Sequence, residues 1–95
     1  MTPSEFCERM LTYCYWSGGS CTSWLRSVAR NERVGGHPHS YHLLGLGMDI
    51  AYGEGPSTHT SERPALAEAR KKAKQLGLRL VREPDHDHFQ PARIS

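Results

Sequence analysis

Apolar residues in the first quarter of the chain recur at helical spacing. Phe6, Met10, Tyr13 and Cys14 share one face and predict a helix over about 3–15, with Pro3 tolerated in its first turn. Ser17-Gly18-Gly19-Ser20 breaks that pattern, and a short extended piece runs from Cys21 to Leu25. Ser27 can cap a short helix reaching about Arg33, which Val34-Gly35-Gly36 closes. After the loop His37-Pro38-His39-Ser40, the apolar residues Leu43, Leu44, Leu46, Met48 and Ile50 carry the chain into the core. Gly45 and Gly47 allow close backbone approach there, and Met48 to Tyr52 reads as a strand with Asp49 on one face. The stretch from Gly53 to Arg63 is polar and reads as a surface loop.

Pro64 to Leu76 gives the clearest helix. Leu66, Ala69, Ala73 and Leu76 form its apolar stripe, and Gly77 is placed to end it. Leu78 to Arg82 alternates apolar and charged residues, as a half-buried strand does; Pro84 interrupts, and His86 to Gln90 resumes as a strand. Helices and strands in this order predict an α+β fold: a small antiparallel sheet with helices packed against it. Trp16, Trp24 and Tyr52 are read as core or groove wall.

With 95 residues the chain has room for one domain, 1–95, and lies near the size at which a metal contributes to stability. No run of about 18 apolar residues occurs, so no membrane span is expected, and MTPSEFCERM lacks the features of a secretory signal. A net charge of +2 is too small to argue for nucleic acid, and Lys71, Lys72 and Lys74 read as the wet face of the second long helix. Cys7, Cys14 and Cys21 have no C-x-x-C spacing and read as buried or free thiols in a reducing compartment, with one disulfide open to them in an oxidising one. His37, His39 and His59 sit in polar loops and read as solvated.

The chemistry lies in His42 and Asp49, in SYHLLGLGMD, and in Asp85-His86-Asp87-His88 near the C-terminus. Two histidines and a carboxylate make the ligand set of an open zinc site, whose fourth position is free for water or substrate. His86 and His88 are two apart, so on a strand both face the same way: one can bind metal while the other stands beside it.

The run from Thr22 to Ile50, TSWLRSVARNERVGGHPHSYHLLGLGMDI, resembles the zinc D-alanyl-D-alanine carboxypeptidase family, which cleaves D-alanyl peptides of peptidoglycan. The matching positions are Arg26, Ser27, Asn31, Val34, Gly35, Gly36, Ser40, His42, Gly45 and Asp49, then Asp85, His86 and His88, so the resemblance spans residues 22–90. It implies one zinc ion per chain held by His42, Asp49 and His88, with Asp85 as general base. It also implies that His86 steadies the oxyanion or orients substrate, that Arg26 binds a substrate carboxylate or polarises the scissile carbonyl, and that Ser40 hydrogen-bonds near the metal. Three positions depart from the pattern. Gly47 stands where the family has alanine, a mild change, and Trp24-Leu25 replaces a Gly-aromatic pair.

Glu83-Pro84-Asp85-His86 fits a second arrangement used by related vancomycin-resistance dipeptidases and some phage endolysins, with Glu83 as base and His86 as ligand. The His88 arrangement is preferred because it supplies acid, companion histidine and ligand together. The expectation is a monomeric zinc peptidase of phage-lysin type acting on peptidoglycan peptides, residing in the host cytoplasm before lysis or in the virion. Carboxypeptidase and cross-link endopeptidase remain equally open, as do DD and LD specificity. The alternative is a non-catalytic zinc-containing wall-binding or virion module, as in the hedgehog signalling domain, which resembles these peptidases and acts by binding.

Overall fold

The computed structural model describes residues 1–37, 39–53 and 62–93. Among the described residues, three helices and four strands follow one another: α1 (Pro3–Ser17), β1 (Ser20–Ser23), α2 (Val28–Arg33), β2 (Met48–Ala51), α3 (Leu66–Gln75), β3 (Leu78–Arg82) and β4 (Asp87–Pro91), with a 3-10 turn at Tyr41–Leu44 before β2. The strands form one antiparallel sheet in the order β1-β2-β4-β3. The α+β architecture expected from the pattern is the one the chain adopts. No described helix is long and apolar enough to cross a membrane.

The helix ends follow from local chemistry. Thr2 and Glu5 satisfy each other's backbone N–H groups at the start of α1, and Gly18 ends it in a left-handed conformation with φ 75°. The helix continues to Ser17 rather than stopping near Tyr15, because Gly18 is the first residue to leave the helical region. Ser27 caps α2 as expected, its Oγ accepting from Arg30 N. Gly77, with φ 71°, turns the chain from α3 directly into β3.

Period-two alternation sorts the strand residues onto two faces. Met48 and Ile50 of β2, Leu78 and Leu80 of β3 and Phe89 of β4 face the helices and are buried with Phe6, Met10 and Tyr13 of α1 and Ala69 and Ala73 of α3. The Tyr13 and Phe89 ring centroids are 4.4 Å apart. Burying such side chains contributes roughly 1.5–3 kcal/mol each. Tyr52 belongs to this core, and Trp24 packs partly against it. Trp16, expected in core or groove wall, is 42% exposed, with Lys72 lying over its ring.

One buried acid shares the apolar side of the sheet. Asp87 is fully buried, takes two hydrogen bonds from Arg82 at 2.8 and 2.7 Å, and accepts a third from Tyr52 Oη at 2.7 Å. Since Tyr52 gives its proton to Asp87, Tyr13 Oη must donate to Tyr52 Oη, 2.8 Å away. Burial pushes the Tyr13 phenol up to about 12, so the chain stays protonated across the physiological range. The Arg82–Asp87 pair closes the β3–β4 hairpin, whose tip bond runs from Glu83 N–H to His86 O at 2.9 Å. β4 therefore begins at Asp87, one residue later than expected, and His86 lies in the turn. The cysteines are free. His37 and His39 are exposed, while His59 and most of the 53–63 loop lie outside the described residues.

Candidate metal centre

On the face of the sheet away from α1 and α3, Asp49 pairs with Ser23 of β1 and with His88 of β4. This register gives the site two of its members. The third, His42, comes from the 3-10 turn, where Ser40 Oγ accepts from His42 N at 3.2 Å. Gly47 lets the chain double back over that turn: a Cβ there would sit 2.8 Å from His42 N and 3.3 Å from His42 Cδ2. The exchange of alanine for glycine at this position is therefore not a mild one. An alanine would displace the backbone that carries His42.

His42 Nε2 lies 3.2 Å and His88 Nδ1 2.9 Å from the same oxygen, Asp49 Oδ1. One ligand atom from each residue falls within 4.8 Å of the others, a group that could hold a metal ion. The outer ring nitrogens decide what the inner ones present. His42 Nδ1 is 2.8 Å from the Trp24 carbonyl oxygen, which can only accept, so Nδ1 carries a proton. His88 Nε2 likewise faces Gln90 Oε1 at 3.0 Å. With the rings neutral, both inner nitrogens then aim lone pairs at a carboxylate oxygen. That arrangement needs positive charge at its centre, either protons on the rings or a cation shared by the three residues. Two nitrogens and an oxygen suit a borderline cation such as zinc, and outer hydrogen bonds of this kind orient histidine ligands at metal sites.

Burial acts to raise the Asp49 carboxyl, but hydrogen bonds and charge from His42 and His88 outweigh it and hold the group well below the ordinary carboxylate range. Arg26 approaches from the other side, with Nη2 3.8 Å from Asp49 Oδ2. The guanidinium is fixed by Asn31 Oδ1 and Ser23 Oγ, both at 3.0 Å, while its buried Nε has no partner among the described residues. Asn31 is itself buried and donates to His37 O, and a Cβ on Gly36 would collide with its side chain. The Arg26, Asn31 and Gly36 pattern is thus a support built under Asp49.

Other expected site residues stand at different distances. His86 Nε2 lies 4.0 Å from Asp49 Oδ1, beside the triad but outside it. Asp85 is 82% exposed on its side chain and bonds His86 Nδ1 at 2.7 Å, the nitrogen that looks away from the triad. It reaches the centre only through the His86 ring. Glu83 is held by its backbone, its carbonyl accepting from Arg63 Nη1, and its carboxylate makes no hydrogen bond or ion pair with the triad among the described residues. Ser40 touches His42 through the backbone rather than the centre. Sequence reasoning missed Gln90, although its place two residues after His88 puts it on the same face. It also missed the Trp24 carbonyl, which no residue pattern announces.

No protein-family model, curated protein or solved structure matches the chain.

Proposed function

We propose that the chain is a zinc-dependent peptidase that hydrolyses D-alanyl amide bonds in peptidoglycan stem peptides, as a carboxypeptidase or a cross-link endopeptidase of phage-lysin type. The observation that carries this reading is the convergence of two imidazole lone pairs and a carboxylate oxygen, with both outer ring nitrogens committed elsewhere. Zinc held by His42, Asp49 and His88 would supply Lewis acidity for a scissile carbonyl and for water at neutral pH.

The chain's own residues supply proton transfer and orientation. A proton on His86 Nδ1 bonded to Asp85 leaves Nε2 as an acceptor turned toward the triad. In this reading Nε2 takes a proton from the attacking water, and the resulting imidazolium, stabilised by Asp85, returns it to the leaving amine. The base expected at Asp85 alone becomes a pair in which Asp85 orients His86. Arg26 holds Asp49 in place. Such a lysin would be stored in the host cytoplasm or the virion and act on the wall.

The exposure of Asp85 favours a second reading, a zinc-holding module that binds wall peptides without cleaving them. Zinc content, measured with amine release from purified peptidoglycan with and without a chelator, separates the two. One zinc per chain and chelator-sensitive release support the peptidase, with product masses naming the bond. His86→Ala and Asp85→Ala should then keep zinc and lose hydrolysis. Zinc without release from several wall types would support the binding module.

A further inference from the structure

Among the described residues, β3 is a terminal strand of the sheet with a strand partner on one side only. The pairing shows which of its backbone groups remain. Glu83 N–H donates to His86 O and Ala92 N–H donates to Gly77 O, each at 2.9 Å. Hydrogen-bonded pairs alternate along an antiparallel ladder, so Arg79 bonds Gln90 and Val81 bonds His88 between those ends. The N–H and C=O groups of Leu78, Leu80 and Arg82 therefore point away from β4, and among the described residues none has a backbone partner there.

Along this edge lies a groove of about 750 Å³, lined by Leu66, Arg70 and Ala73 of α3, by the whole of β3, and by Ala92. Its lining holds three arginines and no carboxylate among the described residues. Arg82 is committed to Asp87, whereas Arg70 and Arg79 are exposed. Arg79 stands on the sheet face that carries Gln90, and Arg70 rises from the helix on the opposite side, so a strand laid into the groove would meet a cation on each face.

We propose that this edge takes an extended acidic peptide of a partner protein as a fifth strand. Backbone bonds to Leu78, Leu80 and Arg82 fix the peptide; carboxylates on alternate residues share one face and pair with Arg79, while the residues between them turn toward Leu66, Arg70 and Ala73 of α3. A second copy of this chain fits less well, since self-pairing of β3 would gather the arginines of both copies along one seam without an acid to meet them. The proposal does not depend on the reaction at the metal centre.

The test titrates a synthetic Glu-Val-Glu-Val-Glu peptide with blocked ends into the isotope-labelled full chain, read by amide chemical shifts. Saturable binding below about 1 mM is expected, with the largest shifts at Leu78, Leu80 and Arg82. Arg79→Glu should weaken it about tenfold or more, as expected for a lost charge-assisted contact turned repulsive. A peptide methylated on alternate amide nitrogens should lose binding while keeping its charges. No saturation by about 1 mM would overturn the proposal, as would equal binding of a Lys-Val-Lys-Val-Lys twin or indifference to N-methylation. Sedimentation showing a peptide-independent dimer that protects the same three amides would overturn it in favour of self-pairing.

Discussion

Replacing Asp49 by asparagine changes almost no volume, yet it removes the charge on which His42, His88 and Arg26 converge. A ligand binding only the folded state stabilises it by RT ln(1 + [L]/Kd), about 2.7 kcal/mol at roughly 100 times Kd. In a domain of this size each kcal/mol moves Tm by about 4–8 °C, so zinc should raise the wild-type Tm by roughly 10–20 °C. If the amide weakens binding about 100-fold, the same zinc concentration stabilises Asp49→Asn by only about 0.4 kcal/mol, roughly 2–3 °C. Scanning calorimetry of both proteins, with zinc and with chelator, reads both shifts directly. An Asn variant with an undiminished zinc shift would refute the assignment of Asp49 as a ligand. A wild-type protein unmoved by zinc at sub-millimolar concentration would refute the site itself.

Without metal, the depressed Asp49 carboxyl stabilises the fold above the unfolded carboxylate value, about pH 4, and that contribution is lost as pH falls through the lower native value. Urea titrations of the zinc-free protein should show an acid limb that is shallower in Asp49→Asn. Gly47→Ala forces a Cβ to within 2.8 Å of His42 N and should cost about 1–3 kcal/mol while weakening zinc binding, seen as a lower urea midpoint and reduced zinc retention on dialysis. Asp87→Ala strands Arg82 and takes the acceptor from Tyr52. With Arg82 18% exposed, the expected loss is near the low end of the range for a broken buried pair, about 3 kcal/mol by chemical denaturation.

Much of the fold is legible in the residues because its signals are local. The Phe6, Met10 and Tyr13 stripe, the caps at Thr2 and Ser27, and Gly77 after the Ala69/Ala73 face each act within a few residues of themselves. The candidate metal-holding triad is legible for a different reason: His42, Asp49 and His88 are residue types that a small core seldom needs. Asp87 was within reach of the same logic. Putting His86 and His88 on the open face requires the residue between them to face the core, and Arg82 across the hairpin is the obvious partner for a buried acid. What could not be read was whatever depends on turn geometry. The resemblance implies Asp85 as the base at the centre, whereas the closed Glu83–His86 turn leaves its carboxylate exposed and bonded to His86. The alanine-to-glycine exchange at Gly47 likewise gains meaning only once the backbone of His42 lies against it.

The pairing of β2 with β4 sets Asp49 opposite His88, 39 residues away, while β3 and β4 meet through a tight turn and β1 pairs with β2 over a shorter separation, as Cys21 with Ile50. Asp49 and His88 face each other across that one distant seam. A cation between them would act as a rivet across the strand pairing with the largest loop to close. Its removal should loosen the joint before it loosens the parts. Hydrogen exchange on chelation would then quicken first along Met48–Ala51 and its β4 partners, with the β3–β4 hairpin letting go later.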